Sequence, residues 1–196
     1  MQNTNKTLIA YVSIIFSMIF WGISFVWTKE LLNANFPVFL ILTIRLAIAS
    51  LLMFSVFKLM GKLERIEKTD LPKFFLLALF EPFLYFIGEN FSMHFVDASF
   101  AAIMIALLPI VNPIALHIFN KDKIGWNLLF GAVISVIGIM IMSINPEGEI
   151  KISWQGTLLL LLAVFAGSGY SVILSRLINK YNPITITTTQ NIVGIL

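Results

Sequence analysis

Apolar residues run along this chain in long unbroken blocks, and polar residues are confined to the short gaps between them. Six blocks have about the ~20 residues that a helix needs to cross a bilayer. They run from Leu8 to Thr28, Pro37 to Phe57, Phe74 to Phe95, Ser99 to Phe119, Ile124 to Ile144 and Thr157 to Arg176. A seventh opens at Ile184 and is cut at Leu196. Water-facing helices need a polar face, and membrane β-strands alternate over ~10 positions. The blocks do neither, so they predict an all-α integral membrane protein. Short gaps imply antiparallel neighbours packed as a helical bundle. The first block is too long for a cleavable signal, lacks a small-residue cleavage pattern and is followed by further spans.

Charge orients the bundle. Ten of the thirteen Lys and Arg residues precede the first block or lie in the even-numbered gaps, five of them in the second gap (Lys58, Lys62, Arg65, Lys68, Lys73). The odd-numbered gaps hold only Lys29 and Lys151, and Arg45 lies inside a block. Basic residues stay on the cytoplasmic side of multi-spanning proteins. This split predicts a multi-pass protein of the cell (inner) membrane with a cytoplasmic amino terminus. The composition, 59% hydrophobic and 12% charged, is far from the roughly half and quarter of a soluble domain. The net charge of +3 comes from the loops and gives no reason to expect nucleic acid. Without cysteine there are no disulfides or thiolate sites. With only His94 and His117 as imidazoles, no metal or cofactor is expected.

Asn35 before Pro37, Asp70 before Pro72 and Asn182 before Pro183 read as helix caps. The basic second gap is long enough to lie along the inner membrane surface. Gly131, Ser135 and Gly138, and likewise Ala98, Ala102 and Ala106, line single helix faces suited to close packing in lipid.

The sequence also repeats. Trp21-Gly22-Ile23-Ser24-Phe25-Val26-Trp27-Thr28-Lys29 aligns with Ser168-Gly169-Tyr170-Ser171-Val172-Ile173-Leu174-Ser175-Arg176, and Pro37 then matches Pro183. Five spans separate the copies, so they cross the membrane in opposite directions, as the halves of secondary transporters do. Residues 1–145 therefore read as a first five-helix transmembrane repeat, and 153–196 as the start of a second, inverted one. The apolar run at Leu196 ends without a cap, which suggests the amino-terminal portion of a protein of about ten helices.

The chain resembles the EamA-type members of the drug/metabolite transporter superfamily over nearly its whole length. The resemblance rests on Trp21-Gly22-Ile23-Ser24-Phe25, on Ile44-Arg45-Leu46-Ala47, and on Val96-Asp97-Ala98-Ser99-Phe100-Ala101-Ala102-Ile103 leading to Leu107-Leu108-Pro109-Ile110. The glycine-spaced stretch from Gly131 to Met142 adds to it. It implies two five-helix repeats and export of metabolites such as amino acids. Glu81 and Glu89 depart from the pattern, standing where uncharged residues are expected.

Arg45, Glu81 and Glu89 are the deepest ionisable residues in the blocks. Each costs about 2.5–3.5 kcal/mol at the bilayer centre, so each needs a partner or a watery cavity. At ~1.5 Å per residue, Arg45 lies roughly 13 Å below the outer edge, Glu89 roughly 7 Å and Glu81 roughly 20 Å. An Arg45–Glu89 pair is favoured, either as a fixed ion pair or as part of a proton-coupling step that a glutamate must carry, since arginine keeps its proton. Pro82 frees the carbonyl of Ala78, with Tyr85 one turn on from Glu81. Pro109 and Pro113 loosen the fourth helix around Asn112. Such breaks either line a cavity or serve packing. Trp21 and Ser24, with their repeat counterparts Tyr170 and Ser171, suit a pocket for a modest organic solute, although Gly22 and Gly169 equally suit helix crossings. His94 and Asp97 fall in an external turn.

These readings converge on a secondary active transporter, probable exporter of a small organic metabolite such as an amino acid, working by alternating access. Its partners would be the solute, protons as coupling ion, membrane lipid and a second copy in a homodimer. A passive channel or facilitator, or a membrane sensor, is the alternative; it would show pore-lining rings or a soluble domain. An enzyme would need a dense polar cluster near one surface, which the gaps lack.

Overall fold

In the computed structural model, which describes residues 2–121 and 153–195 and the scattered residues 125, 126, 130, 131, 133, 134, 137, 138 and 141, the apolar blocks are helices. Helix α1 is Gln2–Asn33 and α2 is Val38–Leu59. The third span is broken into α3 (Leu71–Ala78), a widened π turn (Leu79–Leu84) and α4 (Tyr85–Ser92). The fourth is broken into α5 (Ala98–Ile105) and α6 (Leu108–Asn120). Helices α7 (Trp154–Leu177) and α8 (Pro183–Ile195) follow. Five helical segments are long and apolar enough to cross a membrane: Tyr11–Asn33, Val38–Leu59, Lys68–Ser92, Ala98–Asn120 and Trp154–Leu177. No strand occurs among the described residues. Most of the expected fifth span, Ser135 included, lies outside the described residues.

Both breaks follow from proline. The ring of Pro82 blocks the regular ladder, and Glu81 leaves helical geometry at φ −142°, ψ 120°. Pro109 sits in the first turn of α6, just after the step at Ala106–Leu107. Apolar side chains point outward along α2, where Ile48 is 55% exposed and Leu51 69%. A water-soluble monomer would not tolerate so continuous an apolar face; hydrocarbon would cover it at no cost.

Helix α7 forms the centre, packing against α4, α6, α5 and the π turn, while α8 packs against α2 and α3. The α4–α7 crossing depends on Gly88, where an added Cβ would stand 2.5 Å from the Leu159 carbonyl oxygen. The two repeated glycines differ. Gly169 lies against the Phe80 ring, so it is a crossing point, whereas nothing lies within 4 Å of a Cβ at Gly22. Helix α1 touches α5 and, more lightly, α2.

The expected caps divide. Asn182 Oδ1 accepts from the Thr185 N–H at 2.7 Å and is a true cap. Asn35 is not: its φ of +62° makes it the left-handed stop after α1. Asp70 makes no capping bond to α3, because its carboxylate is taken up by Lys180, Lys73 and Tyr181. The second gap is stitched to the α7–α8 turn. Asn182 Nδ2 donates to the Lys62 carbonyl at 3.0 Å, and the Glu64 N–H to Thr185 Oγ1 at 2.9 Å. At the other end of the bundle, the Lys29 ammonium donates to the carbonyls of Met93 and Val96. The second gap thus meets the sixth, and the first meets the third, as alternating connections require.

Candidate functional site

The break at Glu81 brings charge together inside the bundle. Glu81, Tyr85 and Glu89 lie one and two turns apart along the π turn and α4. Glu89 is 1% exposed and Tyr85 2%. Glu89 Oε2 and Tyr85 Oη are both buried without a hydrogen-bond partner. Arg45 on α2 packs against α4, the helix that carries Tyr85 and Glu89.

The expected ion pair between Arg45 and Glu89 does not form. The ion pairs among the described residues are Lys73–Asp70, Lys180–Glu67 and Lys180–Asp70. Arg45 instead rests its guanidinium 4.5 Å from the centre of the Phe86 ring. The depths left Glu89 within reach of an extended arginine, but the side chain of Arg45 is directed onto the aromatic face of Phe86. Such a contact is worth about 0.5–2 kcal/mol and leaves the cation able to take an anion.

Arg45 also borders a cavity of about 490 Å³ between α1 and α2, lined by Ser24, Trp27, Thr28, Ile41 and other apolar side chains. Its size falls in the range of small-molecule sites. Ser24 Oγ donates to the Trp21 carbonyl at 2.6 Å, leaving its lone pairs toward other donors. Trp21 does not line this cavity; half-buried, it packs against the main core, 6.3 Å from the Phe25 ring centre.

Asn112 and Ser171 stand apart from the acidic pair. Asn112 Oδ1 accepts from Ser168 Oγ at 3.0 Å, a helix–helix bond between α6 and α7. Ser171 Oγ donates to the Gly167 carbonyl of its own helix. Tyr170 Oη donates to Gln190 Oε1 at 3.1 Å. Gln190, 4% exposed on α8, was missed by the sequence reading, as was Asn90, fully buried with its Oδ1 unpartnered. A buried amide within an apolar block was the available signal for both. His94 packs on Phe91 at 6.2 Å. Among the described residues no three His, Cys, Asp or Glu side chains gather as a metal would require.

Residues 8–144 match the EamA-like transporter family. An uncharacterized transporter of Archaeoglobus fulgidus is 29% identical over 184 residues, covering 94% of this chain and 64% of that protein. Two Bacillus subtilis proteins, the uncharacterized transporters YdfC and YcxC, are 29% and 25% identical, with 86% and 94% of this chain and 54% and 59% of theirs covered. The chain thus spans less than two thirds of the length of these relatives. No solved structure matches it.

Proposed function

The chain belongs to the EamA-like transporter family, and from that premise we propose that it serves a secondary active transporter exporting a small organic metabolite, such as an amino acid or related carboxylate, by alternating access. It would lie in the cell membrane with its amino terminus in the cytoplasm, and residues 1–145 and 153–196 would belong to two inverted repeats. The observation that carries the reading is a half-buried arginine that forms no ion pair among the described residues, borders a cavity of about 490 Å³ and packs on the helix that carries the buried Glu89.

The parts divide the work by their chemistry. Arg45 supplies a planar guanidinium cation for a substrate carboxylate. The apolar walls from Trp27 to Ile44 accept the hydrocarbon part of the solute. A carboxyl group can lose and regain a proton, so Glu89 or Glu81 carries the coupling ion. Their position at the broken third span puts that step beside irregular backbone, which membranes tolerate where it lines a cavity.

The full-length protein in proteoliposomes tests this under an imposed pH gradient, with a panel of radiolabelled amino acids as probes. Saturable, gradient-driven flux that is lost in Glu81→Gln or Glu89→Gln supports the reading. Flux unchanged in both variants removes the proton role, and non-saturable conductance would favour a channel.

A further inference from the structure

We infer that the contact between the 60–70 connection and the Lys180–Thr185 turn is the cytoplasmic gate of this carrier, held closed in the present conformation; the inference rests on the alternating-access reading. Lys180 Nζ donates to Glu67 Oε2 and to Asp70 Oδ2, each at 2.6 Å. Asp70 also accepts from Lys73 at 2.8 Å and from Tyr181 Oη at 2.8 Å, and Tyr181 Oη accepts from the Glu67 N–H at 3.1 Å. The Asn182 N–H donates to Glu64 Oε2 at 2.7 Å. All of these bonds except Lys73–Asp70 join segments more than 100 residues apart in sequence. They belong to the two halves that must move against each other.

Position and chemistry distinguish a gate from a static staple. Beneath the polar layer lies an apolar plug of Phe74, Leu77, Leu177, Tyr181 and Ile186, with the Tyr181 ring 5.6 Å from that of Phe74. Tyr170, two turns back along α7 from Leu177, also packs on this plug. The plug thus lies between Tyr170 and the Lys180 turn. The bonds over it are reversible. Hydrogen bonds to Asp70 and Glu67 hold the Lys180 ammonium above the ordinary lysine value. Lys180 and Glu67 are 41% and 62% exposed, and such exposed pairs are weak and salt-sensitive, whereas the Asp70 carboxylate at 4% exposure is the buried end that opening must hydrate. The Asn182 cap and Pro183 begin α8 right there, giving that helix a defined pivot.

Residues 1–196 contain no cysteine, and any cysteine elsewhere in the full-length protein is first replaced by serine, so that a single introduced thiol reports. Full-length protein carrying Tyr170→Cys is reconstituted in liposomes, and a membrane-impermeant maleimide is added on the Lys180 side. The gate predicts slow labelling that accelerates about tenfold or more when Glu64→Gln and Lys180→Gln are added. Raising salt without those substitutions must accelerate it too, which covers a variant that fails to fold. Labelling rates indifferent to both the substitutions and salt overturn the gate. The readout needs no flux, so a null labelling result removes the gate and leaves the carrier reading standing, whereas absent flux removes the carrier reading together with the gate that rests on it.

Discussion

Ser168 Oγ donates to Asn112 Oδ1 at 3.0 Å, fastening α6 to the central helix α7 one residue before Pro113. Ser168 also donates to the Val164 carbonyl at 2.9 Å, so its proton is shared between its own helix and the neighbour. Hydrogen bonds between helices in lipid average about 0.6 kcal/mol and reach about 1.7. A double-mutant cycle of Asn112→Ala and Ser168→Ala, read by thermal unfolding in detergent, should give a coupling within that range. A zero coupling would mean that the two side chains do not meet.

Close helix approach at Gly88 makes a sharper prediction. A methyl group there would stand 2.5 Å from the Leu159 carbonyl oxygen and 3.0 Å from the Ala163 nitrogen, both backbone atoms that cannot step aside. Gly88→Ala should therefore destabilise by about 1–3 kcal/mol through overpacking. Gly22→Ala, with open space around it, should be neutral. Unfolding curves of the two variants, compared side by side, decide the matter.

Arg45 offers a test of the solute's chemistry. A charge-assisted bond to a substrate carboxylate is worth about 1.5–3 kcal/mol, so Arg45→Gln should weaken binding of a carboxylate-bearing solute by roughly ten- to a hundredfold. The methyl ester of the same solute should bind the two proteins alike. Calorimetric titration measures both.

Glu89 separates stability from coupling. Its Oε2 is buried without a hydrogen-bond partner, so a charge there costs far more than a neutral amide of the same shape. Glu89→Gln should keep or raise the unfolding temperature while abolishing pH-driven flux. A variant that unfolds at lower temperature would mark Glu89 as a structural charge.

The spans were legible because membrane crossing demands a run of apolar residues, and little else in a sequence makes one. The break in the third span was equally plain, since Pro82 must free a carbonyl wherever it stands in a helix. What joined the spans was not legible. The expectation for Arg45 used depth, which residue number gives, and lacked rotation about the helix axis, which only packing gives; hence Phe86 in place of Glu89. Asp70 looked like a cap because it precedes Pro72, yet a lysine 110 residues away competes for the same oxygen. Gln190 was hidden because its partner, Tyr170, sits on another helix.

The central claim is that lipid surrounds these helices and that successive connections emerge on opposite sides. Single cysteines at Ala34 and Gln155 for one side, and at Arg65 and Asn179 for the other, place exposed thiols at both ends of the bundle. In intact cells a membrane-impermeant maleimide should label positions 34 and 155 and reach 65 and 179 only after permeabilisation. Labelling at 65 or 179 in sealed cells would contradict the account.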